Sequence, residues 1–250
     1  MIGVPENIVI TRNKASERLL LDKGKEWLEK DERAPGIHAS ALLDLRQAYW
    51  NMKNPQGLGD REVVMFMVGK VLHAFVLGAV EGTVDLNATD EGSHYSDDLR
   101  ISFSPDKILD GVVRELKTTR SFYEPKDVND LSFYLEQLLV YMVATKTLRS
   151  ELWILYLNLK DPETKRTVPQ FRCFQVDITA EELAAVTADI VLQRTLLEAA
   201  LDTNEPGALP LCREFKCGAL NCPHYANCQP PGRYGDAKWD GTAVPKKQKS

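Results

Sequence analysis

The Asp-Gly pair at Asp110-Gly111 lies between two apolar runs and is the strongest short hairpin signal in the chain. A two-residue turn there places Asp106 directly opposite Glu115 on the facing strand. Lys117 projects from the same face as Glu115, because side chains alternate along a strand. The other pairs that follow from the turn are Leu109–Val112, Ile108–Val113 and Lys107–Arg114. The register therefore predicts two carboxylates and one amine in a single cluster.

Two opposed carboxylates repel each other and lower stability unless a cation neutralises them. Mg²⁺ prefers hard oxygen ligands and is often held by one or two carboxylates plus substrate phosphate. Such an ion polarises a phosphodiester and activates a bound water, and a nearby lysine can orient that water or stabilise charge on phosphate. The alternative is an ordinary surface hairpin in which Lys117 bridges Asp106 and Glu115. The hairpin alone leaves both interpretations open.

Pro105-Asp106 followed by Glu115-Leu116-Lys117 resembles the signature of the PD-(D/E)XK nucleases. Upstream, Gly69 and His73 look like the Gly-x-x-x-His motif of the RecB-like branch of that superfamily. Downstream, Gln137 and Tyr141 look like its Gln-x-x-x-Tyr motif. The motifs are short, and their joint order is what makes the resemblance specific. It spans about Ser40 to Cys228.

The resemblance implies a restriction-endonuclease-like α/β core with a mixed central sheet flanked by helices. It also implies a divalent-metal-dependent deoxyribonuclease, an exonuclease acting on single-stranded DNA or DNA ends. By the same resemblance, Lys117 assists the attacking water, and Gln137 and Tyr141 orient the lysine or the nucleic-acid backbone. The implied ligands of Mg²⁺ or Mn²⁺ are His73, Asp106, Glu115 and the backbone carbonyl of Leu116. As alternatives, His73 is a buried core histidine, and Gln137 and Tyr141 form the polar edge of an amphipathic helix.

Four of the five cysteines lie close together near the C-terminal end of the sequence. They are Cys212, Cys217, Cys222 and Cys228, whereas Cys173 stands alone in an apolar segment and is expected in the core. Without a secretion signal, such a group favours metal binding over disulfides. Four thiolates can hold zinc or an iron–sulfur cluster. The Cys222-Pro223 pair favours a 4Fe-4S cluster, with Zn²⁺ as the alternative.

This group is similar to that of iron–sulfur nucleases, notably the CRISPR-associated Cas-four type exonucleases and the AddB-type helicase–nucleases. In those proteins one ligand comes from an early helix. The matching stretch here, Ala41 to Trp50, has no cysteine and carries Asp44 or Leu45 at the corresponding place. All four ligands are therefore predicted from the C-terminal segment, which makes zinc more plausible and His224 an alternate ligand.

Periodicity and capping signals predict alternating helices and hairpins, followed by the cysteine module. We expect a nuclease domain over 1–205, a cysteine module over 206–232 packed on it, and a disordered tail over 233–250. The predicted helices cover Lys14–Lys30, Ala41–Met52, Arg61–Val80, Asp127 or Asn129 to Leu148, and Thr179 to Leu201; the predicted strands cover Leu99–Leu109, Val112–Thr119, Leu152–Leu159 and Thr167–Ile178; and Asp85–Asp98 is predicted as a loop.

The formal net charge of -5 argues against a large non-specific DNA-coating surface but allows a local basic channel. Six cations are candidates for that channel, the alternative being a solvated strand surface: Arg100, Lys107, Arg114, Lys117, Arg120 and Lys126. Val63–Val80 is the longest apolar-rich segment. Because it carries Lys70 and His73, it is predicted to be a buried helix rather than a membrane span.

We see no signal peptide and expect a soluble, cytoplasmic protein that acts on DNA without a membrane. Proteins of recombination or CRISPR adaptation are the expected protein partners. Two other functions compete with the nuclease. One is a catalytically silent nucleic-acid or partner-binding protein that retains the fold. The other is a zinc-stabilised interaction protein in which the carboxylate hairpin is incidental.

Overall fold

The computed structural model describes residues 14–29, 36–81, 93–161, 163–213 and 222–228. The chain divides into two compact units, each built from two stretches of sequence. The first comprises Met1–Leu43 and Gly57–Leu192, and the second comprises Asp44–Gln56 and Gln193–Ser250. The second unit therefore combines a short early segment with the C-terminal part of the chain.

The described residues form six α-helices and seven strands. The helices are α1 (Lys14–Glu29), α2 (Leu45–Lys53), α3 (Asp60–Glu81), α4 (Ser132–Thr145), α5 (Ala180–Thr203) and α6 (Tyr225–Cys228). Short 3₁₀ turns cover Ala39–Leu43, Val128–Leu131 and Pro206–Ala208. The strands are β1 (Ile37–His38), β2 (His94–Ser96), β3 (Ile101–Phe103), β4 (Lys107–Leu109), β5 (Val112–Thr119), β6 (Arg149–Lys160) and β7 (Thr167–Asp177).

Both sheets are mixed. The smaller has the order β1-β3-β2, with β1 parallel and β2 antiparallel to β3. The larger has the order β4-β5-β6-β7, in which β5 and β6 run parallel and the outer pairs are antiparallel. Parallel neighbours need a crossover connection, and α4 lies in the one between β5 and β6. The predicted α/β class with a mixed central sheet flanked by helices is confirmed.

The register of the larger sheet decides which side chains can meet. Glu115 pairs with Leu152, and Lys117 with Ile154, so these four side chains share one face. We call it the carboxylate face. Helix α4 packs against this side, where its Gln137 bonds to Lys117. The sheet core is apolar, and Leu116, Leu138, Leu152 and Ile154 are fully buried.

Two local predictions were wrong between residues 93 and 109. The single strand predicted over Leu99–Leu109 is split into β3 and β4, which belong to different sheets. Pro105 lies at the break, and proline has no backbone N–H to donate to a ladder. The loop predicted over Asp85–Asp98 ends in a strand, because His94–Ser96 pair with β3. Residues 85–92 lie outside the described residues, as do the predicted tail and Cys217.

The remaining elements follow their predictions with shifted ends. The predicted Thr179 capping box is confirmed, since Thr179 N donates to Glu182 Oε2 at 2.8 Å and Glu182 N to Thr179 Oγ1 at 3.1 Å. The hairpin formed by β6 and β7 is also confirmed. Helix α4 begins later than predicted, after the 3₁₀ turn Val128–Leu131, and ends before Lys146, whose φ of 56° is left-handed.

Helix α3 was predicted to be buried, and the structure contradicts this. Its sequence is apolar on nearly every side, yet among the described elements the helix packs mainly on α1 and also contacts β5. Six of its apolar side chains are 42–59% exposed: Val64, Met65, Phe66, Val68, Val71 and Phe75. Among the described helices, none has the length and apolar character needed to span a membrane.

Candidate active site

The hairpin that carries the carboxylates forms as predicted at its turn. Asp110 and Gly111 have φ values of 54° and 75°, the left-handed pair that a two-residue type I′ turn requires. The three pairs nearest the turn match the predicted register: Leu109–Val112, Ile108–Val113 and Lys107–Arg114. The predicted fourth pair is absent from this ladder. Strand β4 begins at Lys107, so Asp106 lies just outside it.

Asp106 is nevertheless held tightly against β5 and α3. Its Oδ2 accepts a 2.6 Å hydrogen bond from the backbone N–H of Leu116, and its Oδ1 lies 3.1 Å from Nδ1 of His73. Leaving the ladder frees the Asp106 side chain to reach both groups. Asp106 is 9% exposed as a whole residue, so these bonds form in a largely dry setting. The structure therefore brings His73, Asp106 and Leu116 together.

Lys117 connects Glu115 to α4. Its ammonium donates to Glu115 Oε1 and, at 2.9 Å, to Gln137 Oε1. The amide of Gln137 in turn donates from Nε2 to the Tyr141 hydroxyl at 2.6 Å. Tyr141 is buried and therefore fixed in place. A chain of hydrogen bonds from Tyr141 through Gln137 thus sets the position of Lys117.

The electrostatics of this cluster centre on Glu115. Burial, and then the neighbouring Asp106 charge, raise the pKa of Glu115 from its ordinary 4.5 to about 8, despite the opposing effect of Lys117. Only one of its oxygens is satisfied, since Glu115 Oε2 is buried without a hydrogen-bond partner. Native structures rarely leave a buried polar atom unpaired, and each such atom needs an explanation.

The two basic groups of the cluster respond to the same carboxylates. Burial alone lowers the pKa of His73, but its hydrogen bond and charge interaction with Asp106 outweigh this effect and raise it. Burial also lowers the pKa of Lys117, yet the charges of Glu115 and Asp106 dominate and raise it. Both side chains are therefore drawn towards their protonated forms.

The donors present suit a hard divalent cation, although they are not gathered around one point. Across the described ranges of the chain, no three His, Cys, Asp or Glu side chains are arranged so that they could hold a metal ion. The donors instead pair with one another, His73 with Asp106 and Lys117 with Glu115. A buried, unpaired carboxylate oxygen beside a second carboxylate is the chemistry that Mg²⁺ or Mn²⁺ neutralises. The residues therefore fit such an ion by donor type.

The six cations proposed as a basic channel do not share one face. Lys107 and Arg114 are cross-strand partners on the side of the sheet opposite Glu115 and Lys117. There Arg114 pairs with Glu151 at 2.9 Å and lies 5.7 Å from the Trp153 ring. Of the cations within the hairpin strands, only Lys117 lies on the carboxylate face. Because side chains alternate along a strand, Arg114 and Lys117 lie on opposite faces of β5 and cannot line the same channel.

Three of the four predicted cysteine ligands, all in the second unit, are among the described residues. Cys212, Cys222 and Cys228 form no disulfide bond, and Cys217 lies outside the described residues. Burial first, and then the nearby Asp44, Cys222 and Cys228, raise the pKa of Cys212 to about 11 against a hydrogen bond from the Gln47 backbone. Cys212 thus lies near Asp44 and near both of the other described thiols. Cys173, predicted as a core residue, is an exposed free thiol on β7, so that prediction was wrong.

Hydrogen bonds within this unit hold the early segment against the C-terminal one. Arg213 N donates to Asp44 Oδ1 at 3.3 Å, and Arg46 Nη2 donates to the Gly207 carbonyl at 3.0 Å. His224, the predicted alternate ligand, is fully buried with Nε2 2.6 Å from Asn51 Oδ1. Its Nδ1 has no hydrogen-bond partner. Burial lowers the pKa of His224, which favours the neutral imidazole that binds metals.

Tyr134 is a residue of the site that the sequence analysis missed. It lies close enough to Lys117 to contribute to the raised pKa of that group, and it also contributes to the raised pKa of Tyr156 on β6. Its position could have been found, because it precedes Gln137 by three residues and i, i+3 positions share a helix face. Its ring lies 5.8 Å from that of Phe133.

No family model matches this chain, and no curated protein matches it in sequence. Among solved structures it is similar to SSO0001, with a TM-score of 0.51, 16% identity, and coverage of 86% of this chain and 96% of that one. At that identity the likeness shows the fold alone.

Two further solved structures are more distant. A phage related exonuclease from Haemophilus somnus 129PT has a TM-score of 0.44 and 8% identity, covering 72% of this chain and 99% of its own. An alkaline exonuclease (LHK-Exo) from Laribacter hongkongensis has a TM-score of 0.36 and 15% identity, covering 73% and 97%.

Proposed function

We propose that the protein is a divalent-metal-dependent deoxyribonuclease that hydrolyses phosphodiester bonds, acting as an exonuclease on single strands or DNA ends. One observation carries the proposal. The structure buries Glu115 near the charge of Asp106, leaves one oxygen of Glu115 unpaired, and holds Lys117 against Glu115. This arrangement contains the groups that cleavage of a phosphodiester needs.

A structural salt bridge does not account well for the cluster. A stabilising ion pair in the interior satisfies the remaining lone pairs of its carboxylate, because taking charges out of water is costly. Here Glu115 Oε2 is unsatisfied, and the neighbouring Asp106 raises the cost further. A carboxylate pair with an open oxygen is unfavourable for the isolated chain, and this favours a functional role.

The donor set assigns the ion's ligands by residue type. Asp106, Glu115, His73 and the carbonyl of Leu116 would hold Mg²⁺ or Mn²⁺. When bound, such an ion lowers the pKa of a water and polarises a phosphate oxygen. The chain's own contribution is positioning: Leu116 N–H fixes Asp106, and Gln137 with Tyr141 fixes Lys117.

Lys117 is assigned to the reacting phosphate group. Its ammonium already donates to two oxygens, so it can donate equally to a phosphate oxygen or to the attacking water. Fixed donors aimed at developing charge stabilise a transition state more than mobile ones, because no reorganisation is needed during the reaction. Gln137 is a positioning residue in this scheme.

The cysteine group is proposed as a structural cofactor site in the second unit. Cys212, Cys217, Cys222 and Cys228 would hold a 4Fe-4S cluster or, alternatively, Zn²⁺. The proximity of Cys212 to Cys222 and to Cys228 supports this assignment. Asp44 beside Cys212 and the buried, unpaired Nδ1 of His224 provide further donors. Metal analysis and the visible absorption of anaerobically purified protein distinguish iron from zinc.

Cleavage of end-labelled DNA tests the proposed function. Single-stranded and duplex oligonucleotides are incubated with Mg²⁺, Mn²⁺ or EDTA, using wild-type protein and Asp106→Asn. We expect metal-dependent degradation from an end that the variant has lost, with the label pattern giving the polarity. Absence of cleavage by anaerobically prepared, folded protein refutes the nuclease and favours the catalytically silent DNA-binding protein. Cytoplasmic location and partners in recombination or CRISPR adaptation stay predictions from sequence.

A further inference from the structure

Two adjacent aromatic side chains project from the loop that follows β5. Phe122 is 51% exposed and Tyr123 is 68% exposed. Among the described residues, neither ring has an aromatic partner. Single exposed apolar residues are common on protein surfaces, but two consecutive rings in water are unfavourable and mark a contact surface. Their position next to the active-site strand raises the question of what they contact.

The backbone beneath these rings is firmly held. The Phe122 carbonyl accepts a 3.0 Å hydrogen bond from Lys160 N at the end of β6. Ser121 Oγ donates to the Tyr123 carbonyl at 2.8 Å, and Tyr123 N donates back to Ser121 Oγ at 3.2 Å. Glu124, the next residue, accepts a 2.6 Å bond from Arg172 Nε on β7. The rings are therefore presented on a rigid base, which lowers the entropic cost of binding to them.

The loop is continuous with the carboxylate face. Arg172 pairs with Ile154, and Ile154 pairs with Lys117. Arg172, which bonds to Glu124, therefore lies on the carboxylate face. Tyr134 lies near Lys117 and near Tyr156, and Tyr156 in turn lies near Glu124 and Arg172.

The distances and charges suit a nucleic-acid strand. Phe122 follows Lys117 by five residues, which bounds the distance between their Cα atoms at about 18 Å. Arg120 begins the loop, and its guanidinium contacts the sulfur of Met65 at 3.7 Å. Among the described residues, no carboxylate pairs with Arg120. A cation beside two stacking surfaces is the combination that single-stranded nucleic acids bind.

We propose that Phe122 and Tyr123 form a stacking platform for unpaired bases of the DNA strand entering the active site, with Arg120 contacting its phosphates. The proposal rests on the proposed function, since it assigns the substrate of that site as single-stranded DNA. Every base offers a π-face, so the platform accepts any sequence. Bases paired within a duplex are already stacked, and a blunt duplex therefore gains little from it.

Binding without catalysis tests the platform. The full chain in EDTA is titrated into a fluorescently labelled 12-mer single strand, and the dissociation constant is measured by anisotropy. Phe122→Leu and Tyr123→Leu keep apolar bulk but remove the ring, and we expect each to weaken binding about 5- to 100-fold. Phe171→Leu is the matched control, because Phe171 is 49% exposed on the opposite face of the sheet. It should bind as wild type does.

An abasic strand of the same length separates stacking from phosphate contacts. The wild type should bind the abasic strand more weakly than the normal one. The ring variants should bind the abasic strand with the same affinity as the wild type does. Wild-type affinity in both ring variants overturns the proposal. The proposal is also overturned if the ring variants lose the same factor of affinity for the normal and the abasic strand. A wild-type protein that does not bind the single strand overturns it as well.

The failure of the platform and that of the nuclease are distinguishable. Metal-dependent cleavage with unchanged kcat and KM in both ring variants supports the nuclease and overturns the platform. Ring-dependent binding to the single strand without cleavage in Mn²⁺ supports the platform and refutes the nuclease.

Discussion

Replacing Glu115 by glutamine should stabilise the metal-free protein while abolishing its activity. The buried carboxyl has a pKa of about 8 instead of its ordinary 4.5, so the folded chain at pH 7 takes up a proton that the unfolded chain releases. Between pH 4.5 and pH 7, this raised pKa lowers the free energy of unfolding by about 1.36 kcal/mol per pH unit. The Glu115 carboxyl therefore destabilises the folded protein at pH 7 by at most about 3 kcal/mol. Glutamine carries no charge and has no such cost. For a chain of this length, the melting temperature should rise by up to about 6–12 °C.

The assay is thermal unfolding followed by circular dichroism at pH 7 in EDTA. Glu151→Gln is the control, because Glu151 also lies on the central sheet but is half-buried with two partners. It accepts from Arg114 Nε and Trp153 Nε1, each at 2.9 Å. Glu151→Gln should lower the free energy of unfolding by no more than about 1 kcal/mol, so its melting temperature should be unchanged or slightly lower. Excess Mn²⁺ should stabilise the wild type and narrow its gap to Glu115→Gln, because a bound ion stabilises only the state that binds it.

The difference in stability between Glu115→Gln and the wild type should depend on pH in a definite direction. The folded pKa lies above the unfolded one, so the folded state binds the extra proton between pH 4.5 and about 8. Wild-type stability therefore falls relative to Glu115→Gln as the pH rises through that window. The difference in stability between Glu115→Gln and the wild type should vanish near pH 4.5 and become constant above about pH 8. A Glu115→Gln protein that melts below the wild type in EDTA at pH 7 would refute this reasoning, and it would show that the Lys117 pairing dominates.

Four further substitutions test separate parts of the structure. Gly111→Ala introduces a side chain at a φ of 75° and should cost about 1–2 kcal/mol in urea unfolding; an unchanged midpoint contradicts the turn assignment. Thr179→Ala removes one half of the capping box and should cost about 1 kcal/mol, with no effect on cleavage. Gln137→Leu removes an acceptor of Lys117 and should lower kcat about tenfold with KM unchanged; a change confined to KM contradicts a positioning role. Cys212→Ser should lose bound iron or zinc in elemental analysis, whereas Cys173→Ser should keep it.

The hairpin was predictable because its determinants are local. Asp-Gly fixes the turn, the turn fixes the register, and the alternation of side chains places Glu115 and Lys117 on one face. The capping box at Thr179 was predictable for the same reason. Each of these features depends on residues within a few positions of one another.

Features set by tertiary packing were not predictable. Asp106 lies outside the ladder and is held by His73, which is distant in sequence. The break at Pro105 places β3 and β4 in different sheets, which the sequence pattern over Leu99–Leu109 did not show. Helix α3 is apolar on nearly every side, so its pattern could not show which face packs and which is exposed.

The central claim is that Lys117 and the two carboxylates beside it cleave DNA, and the most direct test compares two cations on β5. Lys117→Ala removes the cation on the carboxylate face, whereas Arg114→Ala removes the one on the opposite face, where it pairs with Glu151. The measurement is the initial rate of Mn²⁺-dependent nucleotide release from a single strand at a temperature where both variants are folded. We predict a loss of about 10²- to 10³-fold for Lys117→Ala and near wild-type activity for Arg114→Ala. Full activity in Lys117→Ala, or cleavage that persists in EDTA, would contradict the account.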